Sequence, residues 1–145
     1  MKIGLWLICV LIASVLIFDQ YRRVWCLSSG KCITVWKRIG GDCYIMPYKY
    51  YLLSKPFDNY IRTSNTGLIS VVWEDDRIVY VDGSDEFEII NQNSRAICIL
   101  SYEENKSRND SVFTDIIDGY RQYKEDVIYF SIDIEENWAR YKNNN

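Results

Sequence analysis

The first residues after Met1 and Lys2 are apolar without interruption: Ile3 to Phe18 reads IGLWLICVLIASVLIF and carries no charge. Every face of a helix built from this stretch is hydrophobic, which separates it from an amphipathic core helix. Sixteen helical residues span about 24 Å, a little short of a hydrocarbon core about 30 Å thick. Lys2 can snorkel, and Tyr21 and Trp25 can sit at an interface, so a membrane span is the expected reading. A cleaved secretory signal is the alternative, but Asp19 to Trp25 offers no small residues for a cleavage site. Residues 1–25 are therefore expected to form an N-terminal anchor or signal segment. The expected location is a bacterial inner membrane with residues 26–145 in the periplasm, or a secreted protein if the leader is removed.

Beyond the leader the period shortens to two. CITVWKR and CYIMPYKYY flank Gly40-Gly41, a hairpin signal; a two-residue turn there predicts Arg38 opposite Cys43. Pro47 places the second run at an edge or bulge. LLSKPFDN reads as a loop and NYIRT as a further strand. LISVVW, RIVYVD and FEIIN, separated by EDD and by DGSD, predict a meander from Leu68 to Asn91. RAICILSY is apolar on both faces, as suits a central strand. From Asp110 or Ser111 the period changes again. Val112, Phe113, Ile116, Ile117, Tyr120 and Tyr123 recur at helical spacing and predict an amphipathic helix, weakened by Gly119. Ile128, Phe130, Ile132 and Ile134 then alternate as a strand, and Glu135–Lys142 is expected to close the chain with a short helix. The predicted fold class is α+β: the N-terminal hydrophobic helix, then a single domain in which one amphipathic helix packs on an antiparallel sheet.

Composition narrows the chemistry. The 145 residues include five cysteines and no histidine, which excludes Ser/His and Cys/His dyads and imidazole-dependent metal sites. Cys9 lies in the apolar span and reads as a small hydrophobe. Cys26, Cys32, Cys43 and Cys98 are candidate disulfide cysteines; the predicted hairpin disfavours 32 with 43 and leaves Cys26 with Cys32, Cys43 or Cys98 open. No cofactor or metal is expected. Charge is uneven: Asp19–Trp73 carries eight Lys/Arg against three Asp/Glu, whereas Glu74–Asn145 carries eight against seventeen, so a net of +5 gives way to −9. The overall net charge of −3 and the absence of a dense basic stripe argue against nucleic acid.

Two constellations stand out as binding candidates. One is the aromatic run with Tyr44, Tyr48, Tyr50, Tyr51, Phe57 and Tyr60, since tyrosine supplies rigid amphipathic contact area. The other is the acidic pair of turns, Glu74, Asp75 and Asp76 followed by Asp85 and Glu86, which would meet a protein partner with a basic surface. The leading expectation is a membrane-tethered, extracytoplasmic protein-binding domain without catalysis, of the kind a bacterial toxin-immunity or inhibitor protein would be. A carbohydrate- or envelope-binding module using the tyrosine run is the alternative. A small hydrolase working through paired carboxylates is the third reading.

Overall fold

The computed structural model describes residues 2–38, 40–64, 67–83, 86–93, 95–105, 112–117, 120–124 and 127–142. Among the described residues one helix, α1 (Lys2–Gln20), precedes twelve strands. In chain order these are β1 (Arg22–Cys26), β2 (Cys32–Lys37), β3 (Asp42–Met46), β4 (Tyr60–Ser64), β5 (Leu68–Trp73) and β6 (Ile78–Gly83). Then come β7 (Phe87–Ile90), β8 (Cys98–Ser101), β9 (Phe113–Ile117), β10 (Tyr120–Tyr123), β11 (Ile128–Asp133) and β12 (Trp138–Lys142).

The strands form two five-stranded sheets and a hairpin. The first sheet has the order β1-β2-β3-β4-β7, the second β12-β11-β5-β6-β8, and β9 pairs with β10 alone. All pairings are antiparallel except β6 with β8. Period-two alternation explains how the sheets stack. Ile33, Val35, Cys43, Ile45 and Ile61 of the first sheet meet Ile69, Val71, Val79, Val81, Ile99, Phe130 and Ile132 of the second in one buried core. Burying each Val or Ile of this set contributes about 1.5–3 kcal/mol, so the core is what makes a two-sheet sandwich the stable arrangement.

The outer faces are covered as well. On the first sheet Trp36, Tyr44, Met46, Tyr50 and Tyr60 form a second cluster, and on the second sheet Val72, Tyr80, Tyr102, Val112 and Val127 form a third. This is why β2 and β3 are buried at consecutive positions instead of alternating with solvent.

The chain is thus mainly β, and the α+β expectation does not stand. The segment expected to be an amphipathic helix is the β9–β10 hairpin, with Ile117 opposite Tyr120. Its residues are largely β-branched or aromatic, which favours strand pairing over a helix. The expected C-terminal helix is instead a turn followed by β12. Asn137 adopts φ 56°, the left-handed conformation that ends one strand and starts the next. Strand β7 leaves the predicted meander to pair with β4, and β8 is an edge strand, not a central one. The β2–β3 register differs from the expected one by a residue: Lys37, not Arg38, faces Cys43. Arg38 N–H donates to Asp42 O (2.8 Å), which makes the connection longer than two residues.

The membrane placement also needs correction. Among the described residues no helix is long and apolar enough to cross a membrane. The transmembrane helix, the signal-anchor and the inner-membrane placement facing the periplasm are therefore not supported. The described apolar side chains of α1, among them Leu5, Trp6 and Leu11, are exposed.

Candidate functional site

The aromatic run divides into buried and outward-facing parts. Tyr44, Tyr50 and Tyr60 are buried against Trp36 and Met46, with half-buried Tyr48 packed beside them. Their rings meet edge-on or tilted: Tyr44 and Tyr60 lie 5.5 Å apart between centroids, Tyr48 and Tyr50 6.4 Å, and Trp36 and Tyr50 6.4 Å. Such pairs add to area burial because each ring edge meets a π-face. Burial pushes the Tyr48 hydroxyl well above the usual phenol range, and the charge of Asp58 adds to this. That hydroxyl is buried without a hydrogen-bond partner. Tyr48 is therefore held neutral.

Between these rings the chain runs through a loop, 47–59, whose backbone is held by side chains from distant strands. Arg22, only 6% exposed, stacks its guanidinium over Trp36 at 4.3 Å. From there Nη1 donates to Tyr50 O (3.3 Å) and Nη2 to Leu52 O (2.8 Å). Thr34 Oγ1 donates to Tyr48 O (2.7 Å) and accepts from Tyr50 N–H (3.1 Å). Tyr50 O–H donates to Ser54 O (2.8 Å) within the loop. At the far end Asn59, fully buried, accepts from Gln92 N–H (2.7 Å) and Asn93 N–H (3.0 Å). Its amide donates to Asn93 O (2.9 Å) and to Ile97 O. A loop normally keeps its polar backbone in water; here side chains replace that water and fix the path.

What the fixed path presents is apolar. Tyr51, Leu52, Leu53 and Phe57 are 66%, 59%, 57% and 68% exposed, while Pro56 between them is buried. Cations flank the patch: Lys49 is exposed, and Lys55 Nζ sits 5.6 Å from the Tyr60 ring and 5.9 Å from that of Tyr44. Its side-chain hydrogen bond with Tyr60 raises the Lys55 pKa and keeps the ammonium charged. Sequence reasoning named Tyr51 and Phe57 but missed Leu52 and Leu53, although two leucines inside a loop-forming segment were a readable sign. It also missed Arg22, Thr34 and Asn59, whose contacts span 14 to 38 positions of sequence.

The acidic candidates lie elsewhere and are occupied locally. Glu74 Oε2 accepts from Tyr80 O–H (3.0 Å). Asp75 Oδ1 accepts from the N–H groups of Arg77 (2.6 Å) and Ile78 (2.7 Å), closing an Asx turn between β5 and β6. Asp76 pairs with Lys31 at 3.0 Å in water, a contact worth at most about 1 kcal/mol. Glu86 lines a different cleft, of about 580 Å³, together with Asp42, Arg62 and Glu88. There Arg62 is held by Asp42 (3.0 Å) and faces Glu88 (3.7 Å). Asp85 lies outside the described residues. The structure does not join the two acidic turns into one site, and among the described residues no group of three or more potential ligands could hold a metal ion.

Of the candidate cysteines, Cys26 and Cys32 form a disulfide across the β1–β2 ladder, where they face each other with Cα atoms 4.1 Å apart. Cys43 and Cys98 are free thiols; Cys43 is buried in the central core, and burial pushes its pKa up to about 12. No protein-family model, curated protein or solved structure matches the chain.

Proposed function

We propose that this chain is a binding domain without catalysis, which recognises another protein through the loop 51–57. The observation that carries the reading is a backbone tied down by Arg22, Thr34 and Asn59 while four large apolar side chains on it stay in solvent. Apolar side chains in that position do not contribute to the fold, and a loop already fixed loses little conformational entropy on docking. Lys49 and Lys55 beside the patch favour a partner whose apolar recess has an acidic rim. A glycan-binding use of the tyrosines has less support, because Tyr44, Tyr50 and Tyr60 are buried in one cluster and offer no open ring face.

Site-specific photo-cross-linking in the cells that make the protein tests this. A cross-linking residue at Leu53 is expected to yield one discrete protein adduct, lost when Leu52 and Phe57 are changed to serine. The same residue at Asp76 is expected to yield none. No discrete adduct at Leu53, or the same adducts from both positions, would overturn the reading.

A further inference from the structure

The two flanks of the sandwich are finished differently. On one flank the edge strands β7 and β8 are stitched by a side chain that imitates a strand: Asn91 Nδ2 donates to Ile99 O (2.6 Å), and Asn91 Oδ1 accepts from Ile99 N–H (3.0 Å). Asn59 reinforces this closure through Ile97 O. The strand orders put the other two edges, β1 and β12, on the opposite flank, with Trp25 and Ala139 both packed against the shared core.

The ladder parity of β1 says which of its backbone groups face outward. Lys37 N–H donates to Tyr21 O (3.0 Å) at one end of the β1–β2 pairing, and Leu27 N–H donates to Lys31 O (2.9 Å) at the other. Hydrogen-bonded pairs in an antiparallel ladder recur at every second residue. The backbone groups of Arg23 and Trp25 therefore face β2, and those of Val24 and Cys26 face away from it. The open edges are also basic. The sequences RRVWC and WARYK contain no carboxylate, and Arg23 and Arg140 are exposed.

We propose that β1 accepts an extended, acidic segment of a partner protein as a sixth strand of the first sheet. Strand addition takes its affinity from main-chain hydrogen bonds and its selectivity from alternate side chains. Val24 and Cys26 supply the hydrogen bonds, and Arg23 selects for carboxylates. The same charge disfavours edge-to-edge pairing with a second copy of this chain, whose β1 would bring further arginines into the contact. This surface is separate from the 51–57 loop and does not depend on the role proposed for it.

The test uses the full oxidised chain and a synthetic peptide, acetyl-Thr-Glu-Val-Glu-Val-Glu-Thr-amide, with amide exchange read by NMR. Saturating peptide is expected to slow exchange at Val24 and Cys26 by roughly tenfold or more, with Arg23 and Trp25 unchanged. The lysine counterpart is expected to leave all four as they were. Val24→Pro removes an outward N–H and spares the β2 ladder, so it should weaken the acidic peptide by roughly tenfold. Arg23→Glu should reverse the preference between the two peptides. No slowing at Val24 and Cys26 with the acidic peptide, or equal slowing with both peptides, would overturn the proposal.

Discussion

The two outer faces of the sandwich carry similar aromatic clusters under very different covers. On the second sheet, Tyr80 and Tyr102 lie beneath chain that pairs backbone with backbone: Tyr102 N–H to Val81 O (2.9 Å), Lys124 N–H to Val112 O (3.0 Å), and the β9–β10 ladder. Tyr102 then packs edge-on against Phe113 and Tyr123. On the first sheet the cover is the loop 47–59: its carbonyls are satisfied by Arg22 and Thr34, and Asn59 ties its end to the backbone of Asn93. A cover held by strand pairing spreads its polar contacts over many residues. The loop concentrates them in three side chains, and Tyr51, Leu52, Leu53 and Phe57 remain exposed for contact. The difference implies that the loop's shape depends on a few long-range contacts.

Single substitutions can break this contrast. Asn59→Ala should have the largest effect, because it removes four hydrogen bonds that the buried amide makes to the backbone. A loss of about 4 kcal/mol is expected from the urea midpoint, against less than about 1 kcal/mol for Asn105→Ala under the second cover, where the amide makes one bond to Ser101 O. Arg22→Met keeps volume over Trp36 but removes the charged donors. It should cost about 3 kcal/mol and speed amide exchange in residues 50–54, leaving the second sheet unchanged. Reducing the Cys26–Cys32 bond, which closes a short loop on the first sheet, should cost about 2 kcal/mol in the same assay.

The smallest expected effect sharpens the comparison by reporting on the core that both sheets share. The folded Cys43 thiol ionises only near pH 12, above its value in the unfolded chain. The folded state therefore holds this proton more tightly. Its contribution is complete below about pH 9 and is lost as pH rises towards 12. Unfolding midpoints should fall by about 1 kcal/mol between pH 8 and pH 10, and by less in Cys43→Val.

Much of the strand layout was legible, because β2, β3, β5, β6 and β11 are short runs rich in β-branched and aromatic residues. The misreading of 112–123 has a clear physical origin. Val112, Phe113, Ile116, Ile117, Tyr120 and Tyr123 fit a helical stripe, yet in the hairpin Val112, Phe113 and Tyr123 pack on the aromatic outer face of the second sheet. At the site, neighbouring Tyr50 and Tyr51 have opposite fates, one buried and one exposed. That choice depends on Arg22, 28 residues upstream of Tyr50, and local pattern does not reveal it. Nothing local marks Arg22 or Asn59, since the contacts that define both are long-range.

The central claim is that the loop is fixed in space before any partner arrives. Backbone ¹⁵N relaxation on the free chain measures this directly at Tyr51, Leu52 and Leu53. The account predicts order parameters of about 0.85, as in rigid backbone, falling below about 0.6 in Arg22→Met. Values already below about 0.6 in the unmodified chain would contradict it.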